Sequence, residues 1–277
     1  MPNYGYHLAR AEGGAVRRFY SAALPALVRQ TLTPQRELPF EVFAYSGEAA
    51  LPEQVASIRS FLKHAGRPLS FTVMSDGSYV PRSFTLLKAI DRCVDVQIAS
   101  ERVPTDLPAA FRSYLREHPT GRQLAVIMSR PTNRPALYVD SDVLFFPGAA
   151  AIANHLPRTA YLADCQPSAD NRLFRSTDEQ HDPVNTGVVF LSEKPDWKIA
   201  IERFMELRGE PSFFTNQTLM HLAMHANSAP PLDSCKFVLQ LDDQFVHEDR
   251  YAGPELILRH YVSPVRHKFW TAVLRHG

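Results

Sequence analysis

The sequence has few cysteines and no excess of either charge. Its three cysteines, Cys93, Cys165 and Cys235, are widely spaced and form no CxxC pair. This spacing excludes a disulfide framework and a cysteine-rich zinc site, and it indicates free thiols in a reducing compartment. Thirty Lys and Arg residues stand against 29 Asp and Glu residues. Because no bulk field attracts nucleic acid or an anionic membrane, an anionic ligand must be bound by a local site.

Several sequence signatures are missing as well. No apolar run approaches the roughly 18 residues that a membrane span requires. The N-terminal segment MPNYGYHLARAEGG lacks the apolar stretch of a signal peptide. There is no glycine-rich phosphate loop and no nucleophile elbow, and Gly13-Gly14 follows no strand, which indicates a flexible turn. We therefore expect a cytoplasmic protein without a transmembrane segment that binds no nucleic acid.

The remaining sequence has the pattern of an α/β fold. Residues 1–37 are expected to form an N-terminal helical extension, with a break at Thr33-Pro34. Beyond it, apolar strands alternate with helical patterns, which predicts a mixed, mostly parallel sheet flanked by helices. The predicted strands are 40–45, 70–74, 94–99, 136–139, 159–163, 187–191 and 255–260. The predicted helices are 51–64, 82–92, 107–128, 196–208 and 215–226. Because no stretch reads as a linker, we expect a single domain over 38–277.

An acidic turn interrupts the most apolar part of the sequence. The segment ALYVDSDVLFF, residues 136–146, places Asp140-Ser141-Asp142 directly after a buried strand and before further apolar residues. Two carboxylates in this setting are costly unless they are paired or bind a cation. Oxygen ligands at this spacing suit Mg²⁺ or Mn²⁺, either of which neutralises a diphosphate. We therefore predict a metal site here, with an ordinary solvated turn as the alternative.

Four motifs, taken in chain order, resemble those of a transferase family. They are the DSD turn, Asn185-Thr186-Gly187, Asn216-Gln217, and His260 followed by Lys268-Phe269-Trp270. This order is similar to that of GT-A nucleotide-sugar glycosyltransferases, especially the retaining enzymes of family 8 such as glycogenin and bacterial α-galactosyltransferases. The resemblance runs from about residue 40 to residue 270. It implies a GT-A fold with a nucleotide-binding half at 38–142 and an acceptor and metal half at 143–277.

The resemblance also implies a set of metal ligands. Asp140 and Asp142 would bind the divalent cation, Mn²⁺ or Mg²⁺, and Ser141 between them would contact the donor. His260 would be the third protein ligand, with an imidazole nitrogen on the ion. Taken alone, a histidine at the end of a strand is more often structural, so this assignment depends on the resemblance.

The resemblance places Lys268 against the diphosphate of the donor. The family pattern is H-x-x-G-x-x-K-P-W, whereas this chain reads HYVSPVRHKFW, with two extra residues, no glycine, and Phe269 in place of proline. Arg266 and His267 are therefore alternatives for the phosphate role.

Two further motifs would contact the transferred sugar. Asn185 would bind the donor sugar, and Gly187 would let a ligand approach the backbone, although a plain turn before a strand explains both nearly as well. Asn216 and Gln217 are expected to be the catalytic pair, with Gln217 near the reacting anomeric carbon. Asn216 replaces the aspartate that is usual in the family, so it retains hydrogen bonding but not a carboxylate.

The ends of the first two strands are where a nucleoside would bind. Tyr45 could stack on a base beside Ser46, and Asp76 could accept a hydrogen bond from a ribose or a ring N–H. Arg122 precedes the acidic turn at the position of a basic donor-contacting residue in similar enzymes. The alternatives for this basic residue are Arg130 and Arg134.

Three other features are interpreted as structural or remain open. His221 and His225 share one helix face, but without an HExxH glutamate they are expected to be partly exposed. The acidic pair Asp242-Asp243 is expected to be a solvated turn. The polar segment 165–184 is too long for a routine connection, which predicts a binding loop or lid.

The sequence therefore predicts a metal-dependent glycosyltransferase that moves a sugar from a nucleotide diphosphate sugar, expected to be a UDP-sugar, with retention. The acceptor, whether saccharide, lipid-linked or protein, is not encoded in any motif. One alternative is another metal-dependent nucleotide-sugar enzyme, a nucleotidyltransferase or a hydrolase. The other alternative is a non-catalytic protein that binds nucleotide sugars.

Overall fold

The structure, a computed structural model, describes residues 3–99, 103–130, 133–166 and 168–276. The first two residues of the predicted extension and residue 167 of the predicted loop lie outside this part. Helix α1 spans Tyr4–Leu27 and begins at Asn3, whose side chain accepts a hydrogen bond from the Tyr6 backbone. The predicted turn at Gly13-Gly14 is wrong, because both glycines lie inside α1. A Cβ at Gly13 would overlap the carbonyl oxygen of His267, so glycine permits close packing here.

A six-stranded sheet forms the centre of the fold, in the order β3-β2-β1-β4-β7-β6. The nine strands of the described residues are β1 Glu41–Ser46, β2 Phe71–Ser75, β3 Val94–Ile98, β4 Ala136–Val139, β5 Val143–Phe145, β6 Ala160–Ala163, β7 Val184–Leu191, β8 Phe237–Val238 and β9 Leu258–His260. β1 to β4 pair in parallel, whereas β7 runs antiparallel to both β4 and β6. The predicted mixed, mostly parallel sheet is confirmed.

A smaller three-stranded sheet, β5-β9-β8, lies beyond the acidic turn. β5 pairs antiparallel with β9, and Val143 stands opposite His260. The predicted strand at 255–260 is thus shorter than expected, and β5 and β8 were not predicted because runs of two or three residues carry no periodicity. This pairing brings the late histidine beside the acidic turn.

Helices cover both faces of the central sheet. After α1 they are α2 Leu51–His64, α3 Pro81–Lys88, α4 Ala109–Glu117, α5 Pro119–Met128, α6 Lys198–Glu206, α7 Thr215–Ala226 and α8 Phe269–His276. The single helix predicted over 107–128 is wrong. His118 adopts φ −80° and ψ 133°, because the ring of the following proline disfavours helical backbone in the preceding residue. α8 was not predicted.

The core has two layers, one on each face of the sheet. In β4, Leu137 and Val139 pack into one layer, and Ala136 and Tyr138 pack into the other. A strand buried on both faces reads as the continuous apolar run seen in the sequence. Among the described residues, no helix combines the length and apolarity that a bilayer crossing requires.

The histidine pair on α7 is more buried than predicted. His221 is buried, and its Nε2 lies 2.6 Å from the Glu179 carbonyl oxygen, while His225 is half-buried. The expectation of two partly exposed histidines is therefore wrong for His221, which packs under the 165–184 segment.

Candidate metal and ligand site

A cavity of about 580 Å³ opens where the parallel strands end. Cavities of this size are typical of small-molecule sites, and the carboxyl ends of parallel strands are their usual place. Eight of the predicted site residues line it. They are Tyr45, Asp140, Ser141, Asp142, Asn185, Asn216, Gln217 and His260. Of the other five, Ser46, Asp76, Arg122 and Gly187 are not among the lining residues, and Lys268 is fully buried.

Asp140, Asp142 and His260 converge on one wall of the cavity. The Nε2 atom of His260 lies 3.1 Å from Oδ1 of Asp142 and 3.7 Å from Oδ2 of Asp140. One ligand atom from each residue lies within 4.8 Å of the others, and no other group of this kind occurs among the described residues. The convergence follows from the fold, because the turn between β4 and β5 meets the end of β9.

The charged groups of this cluster shift one another's pKa values. Burial raises the pKa of Asp140, and the neighbouring Asp142 adds to this rise while His260 opposes it. For Asp142 burial acts in the same direction, but His260 and Arg266 outweigh it and lower the pKa. Arg266 donates to Oδ2 of Asp142 at 2.5 Å from one nitrogen and 3.1 Å from another. A positive charge next to these two carboxylates therefore stabilises their ionised forms.

The absence of a side chain at Gly187 makes room for the ring of His260. Gly187 lies inside β7, where a Cβ would stand 2.8 Å from Nε2 of His260 and closer still to two other ring atoms. The sequence-based interpretation, in which Gly187 admits a ligand to the backbone, is therefore wrong. Its lack of a side chain admits the imidazole ring, whose Nδ1 is buried without a hydrogen-bond partner.

A chain of hydrogen bonds orients Asp140. Its Oδ1 accepts from the Tyr138 hydroxyl at 2.6 Å and from Nε2 of Gln123 at 2.9 Å. Nδ2 of Asn216 donates to Oε1 of Gln123 at 2.8 Å. Asn216 thus acts on the Asp140 carboxylate through Gln123. An ionised aspartate at position 216 could not donate this hydrogen bond.

Asp164 lies on the opposite side of the cavity and was missed in the sequence. Its Oδ2 accepts from Nδ2 of Asn185 at 3.1 Å and from Nε2 of Gln217 at 3.0 Å. Gln217 also donates to the Ser168 carbonyl at 2.8 Å. The two amides predicted from separate motifs therefore meet on one carboxylate. Its sequence signal was its position directly after the predicted strand 159–163, at the edge where ligands bind.

Tyr45, Asp76 and Arg122 meet at the far end of the cavity. The pKa of Tyr45 is raised by burial and by Asp76, while Arg122 opposes the rise. Arg122 donates to the Asp76 carbonyl at 3.3 Å, and only Tyr45 of the three lines the cavity. Ser46, the next residue of β1, is buried. The three residues form a polar end around one aromatic ring.

Lys268 is not at the cavity, so its predicted place against a diphosphate is wrong. It is fully buried and bonded to Oδ2 of Asp243 at 3.0 Å and to the Glu248 carbonyl. Asp243 is also fully buried and pairs with Arg259, so the predicted solvated turn is wrong for this residue. Arg266, kept as an alternative, is the basic residue of this loop that lines the cavity.

The 165–184 segment is anchored over most of its length. Its Gln166 and Ser168 line the cavity. Asp170 accepts from Arg172 at 2.8 and 2.7 Å and from the Thr215 hydroxyl at 2.7 Å. These bonds fasten the segment to the start of α7. In the described part of the segment, residues at its start line the cavity and Asp170 is tied to α7, while ligand binding by this loop stays a prediction.

Comparison with solved structures identifies the fold. Mouse xyloside xylosyltransferase 1 in its apo form is 14% identical, with 83% of this chain and 99% of that chain covered and a TM-score of 0.51. The galactosyltransferase LgtC, determined with donor and acceptor sugar analogues, is 12% identical over 86% and 96%, with a TM-score of 0.53. The bifunctional glycosyltransferase WbbM in its apo form is 11% identical over 90% and 52%, with a TM-score of 0.55. The sequence matches no protein-family model and no curated protein.

These likenesses show the fold. The chain has the mixed α/β architecture of GT-A glycosyltransferases, as its motifs predict. At such low identity the activity does not follow from the fold and has to be argued from the site.

Proposed function

We propose that this protein is a metal-dependent glycosyltransferase that transfers a sugar from a nucleoside diphosphate sugar, a UDP-sugar, to an acceptor with retention. The observation that carries the proposal is the convergence of Asp140, Asp142 and His260 on the wall of a cavity of about 580 Å³ at the ends of parallel strands. Retention rests on the resemblance to family 8 alone.

We further propose that residues 38–277 are the catalytic domain, with residues 1–37 as an extension. Free cysteines suit a cytoplasmic location.

The donor set fits a divalent cation. Two carboxylates and one imidazole are ligands that Mn²⁺ accepts, and the carboxylates equally suit Mg²⁺. The histidine already turns Nε2 toward both acids, and Gln123 and Tyr138 hold Asp140 in place. When bound, the metal supplies Lewis-acid stabilisation of the negative charge on a departing diphosphate.

Arg266 is the proposed diphosphate residue in place of Lys268. Its side chain is 54% exposed and reaches Asp142, so it lies beside the metal ligands at the cavity wall. A guanidinium presents a planar fork of donors that matches phosphate oxygens. In this role Arg266 would exchange its bond to Asp142 for bonds to the leaving nucleoside diphosphate.

Asp164, Asn185 and Gln217 are the proposed contacts of the transferred sugar. Sugar hydroxyls both donate and accept, so a carboxylate next to two amides can bind them in one orientation. Gln217 would then lie at the reacting carbon and Asp164 would accept from a hydroxyl. Tyr45 at the other end would stack on the base, with Asp76 and Arg122 behind it.

The acceptor would enter past two exposed aromatic rings. Phe213 and Phe214 line the cavity at its mouth, and they are 72% and 39% exposed. Their ring centroids lie 5.3 Å apart with the rings nearly perpendicular. Exposed aromatic faces of this kind pack against the apolar face of a sugar ring, so we propose a saccharide portion in the acceptor.

A donor panel tests the proposal against its rivals. The protein is incubated with UDP-, GDP-, ADP- and CDP-sugars, with and without Mn²⁺, and release of nucleoside diphosphate is measured with and without saccharide acceptors. Release that needs both Mn²⁺ and an acceptor supports the transferase. Free sugar in the absence of any acceptor indicates a hydrolase, and pyrophosphate indicates a nucleotidyltransferase. Binding without turnover indicates a non-catalytic protein.

The phosphate role of Arg266 has its own test. Arg266→Ala is expected to weaken UDP binding by about tenfold while changing uridine binding less than twofold, because a charge-assisted pair contributes roughly 1.5–3 kcal/mol. Arg275→Ala, in the last turn of α8 and away from the cavity lining, is the control. Equal losses for UDP and uridine would show that Arg266 holds the fold and not the phosphate.

A further inference from the structure

Helix α1 carries an apolar stripe that faces solvent. Its members, here called the outer stripe, are Tyr4, Leu8, Ala11, Ala15, Phe19, Ala22 and Ala26. At 100° per residue these seven positions fall within an arc of about 80° on the helix. All seven are exposed, and Tyr4, Leu8 and Phe19 remain 76%, 59% and 76% exposed.

The opposite face of α1 is already buried against the protein. Ala9, Gly13 and Leu24 are buried there, and Tyr20 packs on Trp270 with ring centroids 5.1 Å apart. The helix is therefore apolar on two sides, a pattern that indicates burial on both. Within the described residues, the chain supplies a covering surface for only one of them.

The outer stripe is complementary to itself. When two copies of α1 lie antiparallel about a two-fold axis at Ala15, each large side chain meets an alanine. Tyr4 stands opposite Ala26, Leu8 opposite Ala22, and Phe19 opposite Ala11. Ala15 meets its own copy at the axis, where a small side chain allows the two backbones to approach closely.

We infer that the outer stripe of α1 is an interface between two copies of this chain, which pair antiparallel with Ala15 on the two-fold axis. The alternation of large and small residues gives the interdigitated packing that helix pairs require. The pairing would also leave the cavity wall free, because the helix meets Arg266–Lys268 through its inner face, where Gly13 contacts His267.

The area of the stripe is sufficient for such a pair. Taking about 200 Å² for a fully exposed aromatic side chain, Tyr4 and Phe19 offer about 300 Å² together, and Leu8 with the four alanines bring the stripe to roughly 600 Å² per copy. The pair would bury about 1,200 Å², which lies at the lower end of the range for specific, stable interfaces. Binding of the outer stripe to a bilayer surface is less favoured than dimerisation, because four of its seven residues are alanines that gain little from insertion.

Symmetric cysteine cross-linking tests both the contact and its direction. In the 277-residue chain with Cys93, Cys165 and Cys235 replaced by serine, Ala15→Cys is expected to form a disulfide-linked dimer under mild oxidation. Gly14→Cys, on the adjacent exposed residue about 100° around the helix, is the matched control and is expected to stay monomeric. Equal cross-linking of the two variants would overturn the proposal.

A second pair of positions separates the antiparallel from the parallel arrangement. Two copies of Ala11 would be offset by eight residues, about 12 Å along the axis, which is beyond the reach of a disulfide. A mixture of Leu8→Cys and Ala22→Cys chains is expected to cross-link, and Ala11→Cys alone is not. The reverse result would indicate a parallel pair and contradict the two-fold axis at Ala15.

Sedimentation of the otherwise unmodified chain gives an independent measurement. The wild type is expected to dimerise at micromolar concentration, and Ala15→Asp to weaken the dimer on the order of a hundredfold because two carboxylates would meet at the axis. Circular dichroism is used to check that Ala15→Asp folds. Phe19→Ser is measured as a second variant. A monomeric wild type would overturn the proposal. So would a monomer that binds phosphatidylcholine–phosphatidylglycerol vesicles through Phe19.

Discussion

Gly187→Ala should damage the metal site without altering any ligand. The added Cβ would stand 2.8 Å from Nε2 of His260 and nearer to other ring atoms. Carbon atoms pack at about 3.5–4.0 Å, so the ring has to move by roughly 1 Å or more. Gly187 lies where β7 shifts register against β6, but its φ is not in the left-handed region, so the backbone conformation itself tolerates alanine. The imidazole therefore has to leave the position in which its Nε2 faces Asp140 and Asp142.

The size of the effect follows from this displacement. Changes that reorient metal ligands typically cost 10–100-fold in metal affinity. Overpacking typically costs about 1–3 kcal/mol, which would lower Tm by several degrees in a chain of this length. We therefore expect Mn²⁺ affinity, measured by isothermal titration calorimetry, to fall at least tenfold while the protein remains folded at 25 °C.

A matched substitution provides the control. Gly14→Ala adds a methyl group at an exposed site with no atom within 4 Å of the new Cβ, and it should leave Mn²⁺ affinity unchanged. If Gly187→Ala binds Mn²⁺ within twofold of the wild type, His260 does not act as a ligand in the orientation seen here.

Two further predictions concern stability. Lys268→Ala should destabilise the fold by about 3–5 kcal/mol, seen in urea denaturation, because it leaves the buried Asp243 with one cation fewer. Asp170 has a pKa of about 2, since hydrogen bonds from Arg172, Thr215 and Ser212 outweigh the effect of burial. Its stabilisation is therefore present above the ordinary pKa of 3.8 and is lost as the pH falls toward 2. Between pH 5 and pH 2 the wild type should lose about 1–2 kcal/mol more than Asp170→Asn in urea denaturation; parallel pH profiles would show that the carboxylate contributes nothing.

The acidic turn was predictable because of its contrast with its surroundings. Charged residues at the end of a strand buried on both faces need a compensating partner, and this argument requires no knowledge of the fold. His260 could not be found in this way, since a lone histidine carries no such contrast. Only the order of motifs pointed to it, and the pairing of β5 with β9 is what places it beside the turn.

The phosphate residue shows what spacing cannot determine. Arg266, His267 and Lys268 form a 3₁₀ turn, in which consecutive side chains point about 120° apart. Any one of the three could face the cavity, and the choice depends on the buried acid Asp243, which takes Lys268 into the interior. Asp243 lies in a sequence pattern that predicts a surface turn. The sequence therefore did not reveal that this acid binds Lys268 in the interior.

Hydrogen bonds between distant segments were beyond the sequence as well. Gln123 lies in a helix with no distinguishing motif, yet it links Asn216 to Asp140. Gln217 and Asn185 each belong to a recognised motif, but their common partner Asp164 emerges only when β6 and β7 pair. The residues that belong to motifs could be predicted from the sequence, whereas the side chains that orient them could not.

Direct metal binding tests the central claim. Mn²⁺ binding is followed by electron paramagnetic resonance in the wild type, in Asp142→Asn, and in Asp178→Asn, an exposed acid on the 165–184 segment, as the control. We expect one site in the wild type and in Asp178→Asn, and at least a hundredfold loss of affinity in Asp142→Asn with a Tm within a few degrees. Binding that survives Asp142→Asn at wild-type affinity would contradict a metal site built from Asp140, Asp142 and His260.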